Sequence, residues 1–103
     1  MTVIAFLSVA PVIEGSMARE VAKAVDALEE FDVTYETTPM GTTIEAEDVG
    51  ELFDAVQAAH EAVDGDRVST VLKVDDKRTD TSSATEKVES VAEHLGRKPE
   101  SGE

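Results

Sequence analysis

The sequence predicts an α+β sandwich in the order β-α-β-β-α-β, with one further helix at the C-terminus. Three observations carry that prediction. An apolar run opens the chain, segments of helical periodicity separate segments of strand-like alternation, and a Pro-Met-Gly connection joins two strand segments back to back. At 103 residues there is room for one domain with one core. Residues 1–96 are assigned to that domain and 97–103 to a frayed tail.

Val3 to Ala10 is apolar on both faces, as a central strand covered on both sides would be. Pro11-Val12-Ile13-Glu14-Gly15 forms the next loop, and Ser16 is placed to cap a helix. Val21, Ala24, Val25 and Leu28 then recur at helical spacing to about Phe31. Val33 to Thr38 alternates like a half-buried strand, and Pro39-Met40-Gly41 turns it tightly into Thr42-Thr43-Ile44-Glu45-Ala46. Asp48 with Glu51 reads as a capping box that opens a second helix. Its apolar stripe is Val49, Leu52, Phe53, Val56, Ala59, His60 and Val63, and Gly65 is the stop signal. Arg67 to Asp75 forms a fourth strand, with Val68, Thr70, Leu72 and Val74 on one face. Ser83 with Glu86 caps a last helix carrying Val88, Val91, Ala92 and Leu95.

Right-handed crossovers turn this order into the ferredoxin-like arrangement, an antiparallel sheet with both main helices on one face. The face without helices then displays Ile4, Phe6, Thr43, Glu36, Glu45 and Lys73. It is half greasy and half polar, so pairing with the sheet of a second copy would cover its apolar half. A homo-oligomer, dimer or tetramer, is the expectation.

Asp and Glu number 23 against nine Lys and Arg, a formal net charge of −14. Such a surface repels nucleic acid and anionic lipid and attracts cations. An acidic face for a basic partner and adaptation to high salt both fit that charge. The carboxylates are scattered over every element rather than clustered, which favours the halophilic reading. The opening apolar run lacks a basic segment before it and is too short to span a membrane, so a cytoplasmic protein is expected.

Catalytic constellations do not assemble. There is no cysteine, and the two histidines, His60 and His94, stand alone on separate helices. His60, on the apolar stripe, reads as a satisfied core histidine. Asp64-Gly65-Asp66 lacks the spacing of a calcium loop and reads as a helix stop. Arg19 after the first loop resembles the arrangement of acylphosphatases, but those enzymes position water with an asparagine and this chain has none. RNA-recognition domains of this topology stack bases on aromatics of both central strands, and Thr42 to Ala46 carries none. No cofactor, metal or nucleic acid is expected, and the chain is read as a non-enzyme. What remains is Glu36 and Glu45 with Thr34, Thr38 and Thr43 on the open face. This group is either an ordinary solvated strand surface or a polar wall for an aminopyrimidine or cationic ring.

Tyr35 to Ala46 resembles the hairpin of the YkoF-like thiamine-binding proteins. Ala59-His60-Glu61-Ala62 with Arg67 to Arg78 is similar to that family's second helix and last strand, and the likeness runs from about residue 3 to 95. The resemblance implies a ferredoxin-like fold, dimers paired through their sheets and often joined as tetramers, and non-catalytic binding of thiamine or its hydroxymethylpyrimidine moiety. It places Glu36, Gly41, Thr42 and Glu45 in the family's hairpin motif, and Ser8 and Ser16 in its first strand and loop. With Thr38 and Thr43 these make the expected ligand site, on the open sheet face near a subunit interface. The alternative is a ligand-free interaction or regulatory module.

Overall fold

The structure, a computed structural model, describes residues 2–76, 78–79 and 84–96, the side chains of 84–86 excepted. Its elements are β1 (Val3–Pro11), α1 (Ala18–Ala27), β2 (Thr34–Thr38), β3 (Gly41–Ala46), α2 (Val49–Ala62), β4 (Val68–Asp75) and α3 (Ala84–Leu95), with a 3₁₀ turn at Leu28–Glu30 after α1. The strands form one sheet in the order β2-β3-β1-β4 with every neighbouring pair antiparallel. This is the expected ferredoxin-like fold.

Strand alternation decides which side chains meet the helices. Val3, Ala5, Leu7 and Val9 of β1 and Ile44 and Ala46 of β3 are buried against α1 and α2. The odd positions of β1 and the even positions of β3 are therefore core, and Ile4, Phe6 and Ser8 stand half-buried on the open face. The register lays that face out as rows across the sheet. Glu36 on β2 pairs with Thr43 on β3, Thr43 with Phe6 on β1, and Phe6 with Lys73 on β4. The edge strands are also the two that carry these charges.

Helix α2 buries Leu52, Ala55, Val56 and Ala59. The stripe read from the sequence is corrected here by one step around the helix. At 100° per residue, Leu52, Ala55, Val56, Ala59 and Val63 share one arc, and Val49, Phe53 and His60 fall just past its edge. Val49 and Phe53 are consequently exposed, by 38% and 51%. His60 is exposed rather than a core residue, and its Nδ1 lies 2.6 Å from Thr70 Oγ1. Ala55, absent from the expected stripe, is fully buried, because a methyl group lets the helix approach the sheet closely.

Capping differs from expectation in detail. Asp48 accepts the backbone N–H of Glu51 as an N-cap should, but Glu51 does not return the favour: its carboxylate accepts from the N–H of Asp32. Helix α1 starts one residue late, with Met17 at the N-cap and no side-chain cap there. Ser16 Oγ instead accepts from the N–H of Ala18 at 3.3 Å. The Ser83 and Glu86 cap and the 97–103 tail lie outside the described residues and side chains. Lys87 of α3 reaches back to Asp75 at the end of β4, 2.9 Å away.

Candidate functional site

β1 is longer than the hairpin beside it, and that mismatch makes a notch. Its register with β3 ends at the Leu7–Thr42 pair, whereas its register with β4 runs on to the Pro11–Val68 pair. From Ser8 onward β1 therefore has, among the described residues, a strand neighbour on one side only, and the turn at Pro39 and Met40 stops short of the gap. The backbone along an unpaired strand edge retains hydrogen-bonding capacity. Helix α1 closes the notch from the helix side, leaving a cavity of about 360 Å³. That volume lies in the range of small-molecule sites.

The walls of the cavity differ in chemistry. Val21, Ala24, Val25 and Leu28 of α1 face Leu7 and Val9 of β1 to give an apolar slot. Val21 and Val25 remain half-buried because they border this space rather than packed side chains. Met17 and Met40, exposed by 42% and 80%, flank its mouth with flexible thioethers. Hydroxyl-bearing residues complete the lining, Ser8 from β1 and Thr37, Thr38 and Thr42 from the hairpin. Among the described residues, no ionisable side chain lines the cavity.

The threonines are not equivalent. Thr38 Oγ1 donates to the carbonyl of Gly41 at 2.9 Å and accepts from the N–H of Met40 at 3.3 Å, so it is committed to the turn. Thr42 is the one buried polar residue among the described residues, 6% exposed. Its Oγ1 stands 3.5 Å from Thr37 Oγ1, well beyond the usual hydroxyl–hydroxyl distance. Such a slack pair leaves a hydroxyl able to bond a ligand. Gly41 fits for a steric reason, since a Cβ there would sit 2.5 Å from the Phe6 ring and 2.8 Å from the Leu7 carbonyl oxygen.

The expected site residues divide into groups. Ser8, Thr38, Gly41 and Thr42 line the cavity together. Glu36, Thr43 and Glu45 stand on the open sheet face, as alternation requires. Ser16 lies in the exposed loop before α1. The α1 residues and Thr37 were missed from the sequence. The apolar periodicity of α1 was visible there, but it reads equally as core. Glu45 also borders a second concavity of about 310 Å³ with Asp32 and Glu47. Among the described residues no group of three or more His, Cys, Asp or Glu could hold a metal ion. Nor is any helix of the described residues long and apolar enough to cross a membrane.

Comparison with known proteins now adds to this geometry. The chain is 51% identical over 83 residues to a UPF0045 protein of Methanothermobacter thermautotrophicus, covering 78% of this chain and 84% of that one. It resembles the crystal structure of the hypothetical protein MJ1052 of Methanocaldococcus jannaschii with a TM-score of 0.82 and 33% identity, over 89% of this chain and 97% of that one. A candidate thiamine biosynthesis/salvage protein of Thermotoga maritima shares the fold, with a TM-score of 0.72 and 23% identity over 88% of this chain and 99% of that one. The model of one family, described as thiamine-binding protein, matches residues 5–92, nearly the whole folded region. The chain belongs to the thiamine-binding protein family.

Proposed function

We propose that this chain is a non-catalytic cytoplasmic binding protein for a small aminopyrimidine, either free hydroxymethylpyrimidine or the pyrimidine end of thiamine, held in the notch between α1 and the β2–β3 turn. One observation carries the reading: a cavity of about 360 Å³ that combines aliphatic side chains of α1 and β1 with the hydroxyl-bearing residues Ser8, Thr37, Thr38 and Thr42, and that no ionisable side chain lines among the described residues. A flat uncharged ring with polar atoms along one edge matches that distribution, since the ring faces meet aliphatic side chains and the edge meets hydroxyls and unpaired strand backbone. The notch replaces the open sheet face as the ligand's place in this reading. The open face, with Ile4 and Phe6 half-buried at its centre, is left to a second copy of the chain.

Calorimetric titration with hydroxymethylpyrimidine, thiamine and thiamine diphosphate tests the assignment. The pyrimidine alone should retain most of the affinity of thiamine, because the thiazolium stays at the mouth. The diphosphate should bind at least about tenfold more weakly in ~0.1 M salt, where the acidic surface still repels it over ~10 Å. Equal binding of all of them, or of none, overturns the proposal. Silence across the panel would favour the ligand-free interaction module, a reading that the exposed stripe of Val88, Val91 and Leu95 on α3 supports.

A further inference from the structure

The main-chain groups of β1 alternate between its two neighbours, and that alternation aims one residue at the notch. The N–H of Val12 donates to the carbonyl of Arg67 at 2.8 Å, which continues the β1–β4 register and marks the two as a hydrogen-bonded pair. In an antiparallel ladder such pairs recur at every second residue, and each residue sends its N–H and C=O to the same side. Ala10, Ser8, Phe6 and Ile4 therefore bond to β4, and the odd residues of β1 turn their main-chain groups towards β3. Val3, Ala5 and Leu7 meet Ala46, Ile44 and Thr42 there. Val9 comes next and, among the described residues, meets no strand on that side, because the register ends at the Leu7–Thr42 pair. Continued by two residues it would set Met40 opposite Val9, but the N–H of Met40 donates to Thr38 Oγ1 within the turn. Pro11, the next odd residue, has no N–H to offer. Val9 thus carries one donor and one acceptor side by side on the edge of β1 that borders the cavity.

Resting on the reading that the notch holds an aminopyrimidine, we propose that the main chain of Val9 reads the edge of the ring and makes the site specific for a 4-amino group. The Val9 N–H donates to the ring nitrogen beside that group, and the Val9 carbonyl accepts from the amine. A 4-aminopyrimidine carries such an acceptor and donor on neighbouring positions of one edge. The hydroxyls of Thr37 and Thr42 cannot discriminate in this way, since a hydroxyl donates or accepts as the ligand requires. Main-chain groups have fixed roles. Val9 is 7% exposed, and its side chain is locked in the core cluster, so the backbone that does the reading is held in place from the other side. In so enclosed a position a main-chain group left without a partner is costly. An analogue without the amine leaves the carbonyl unpaired. A 4-oxo analogue exchanges donor and acceptor, so it matches Val9 only with the ring turned over, which displaces its other substituents.

Amide hydrogen exchange followed by NMR, together with calorimetry on three ligands, tests the assignment. In the free protein the Val9 amide should exchange at least about tenfold faster than those of Leu7 and Ser8, whose N–H groups lie in the two ladders. Saturation with 4-amino-5-hydroxymethyl-2-methylpyrimidine should slow Val9 about tenfold relative to both. The analogue with hydrogen in place of the amine, and the 4-oxo analogue, should each bind at least about tenfold more weakly, as expected where a site's own polar groups lose their partners. If the aminopyrimidine binds while Val9 exchange is unchanged, or if the three ligands bind alike, the role of Val9 is overturned and the notch remains a pyrimidine site. A Val9 amide as protected as that of Leu7 in the free protein overturns it too. If none of the three binds, the role of Val9 and the reading it rests on fall together.

Discussion

A valine in place of Thr42 keeps the branched shape of the side chain and removes only its hydroxyl, so it isolates the one buried polar group of the notch. Its partner in the free protein is a 3.5 Å contact to Thr37, too long to stabilise the fold appreciably. Thr42→Val should therefore leave the urea midpoint unchanged or slightly raised. It should weaken pyrimidine binding about fivefold, which corresponds to one ordinary hydrogen bond of ~0.5–1.5 kcal/mol. Glu36→Gln and Glu45→Gln, on the open face, should bind the pyrimidine as the parent does wherever the assembly is intact. The reverse pattern in calorimetry would return the ligand to the open face. This contrast also shows what sequence could and could not resolve at a single residue. Alternation assigned Glu36, Thr43 and Glu45 to the open face correctly. Alternation says nothing about where a hairpin ends beside a longer strand, and the notch that recruits Thr37 and Thr42 arises from that length difference. His60 failed for a related reason, because a rotation of the buried arc by a few tens of degrees moves a stripe-edge residue from core to solvent.

Whole elements were more legible than single residues, because each carries its signal many times over. Every strand and helix occurs in the expected order, and the Asp48 cap fixes the start of α2. What could not be read was the clasp between helices. Lys23 on α1 bonds Glu20 one turn away and Asp64 beyond the end of α2, each at 2.9 Å, and Glu20 accepts the backbone N–H of Asp64 at 2.8 Å. Only the Glu20–Lys23 spacing shows locally, since Asp64 is distant in sequence. The Asp64 N–H and then Lys23 hold the Glu20 carboxyl below its ordinary range, and Asp64 and then Glu20 hold the Lys23 ammonium above its own. Because Glu20 is depressed on folding, its contribution is complete above the ordinary glutamate pKa and is lost as pH falls through the lower folded value. Lys23 is raised, so its contribution is complete below the ordinary lysine pKa and disappears as pH rises through the higher folded value. Tyr35 adds to that alkaline arm, since its hydrogen bond to Glu29 keeps the phenol protonated above its usual range. The clasp is thus intact across neutral pH. In urea melts Glu20→Gln should flatten the acid limb of the stability profile and trim the alkaline limb less, since Asp64 still holds the Lys23 ammonium. An unchanged acid limb would show that the carboxyl contributes nothing to holding α1 on α2.

At the scale of the molecule, the described chain is longer than a compact domain. Its radius of gyration is 14.8 Å, against about 13 Å for a globule of this length. On α3, Val88, Val91 and Leu95 are each about half exposed. A helix of 12 residues is marginal alone in water, so its stripe needs a neighbour to remain helical. The net charge of −14 opposes both compaction and the approach of a second copy. Most of the charged groups are exposed, and nine basic residues cannot pair with 23 acidic ones. The repulsion is therefore spread over the surface, where salt screens it efficiently. As potassium chloride rises from ~0.01 M to ~1 M, the Debye length falls from ~30 Å to ~3 Å and the long-range part of that repulsion vanishes. The melting temperature should climb over this range. Screening within one chain raises it equally at every protein concentration, whereas tighter association raises it more in concentrated samples. Melts at low and high protein concentration therefore separate the two effects. A climb at both concentrations identifies the acidic surface as an adaptation to salt, and a melting temperature that is flat at both would leave the 23 carboxylates to be explained by a basic partner instead.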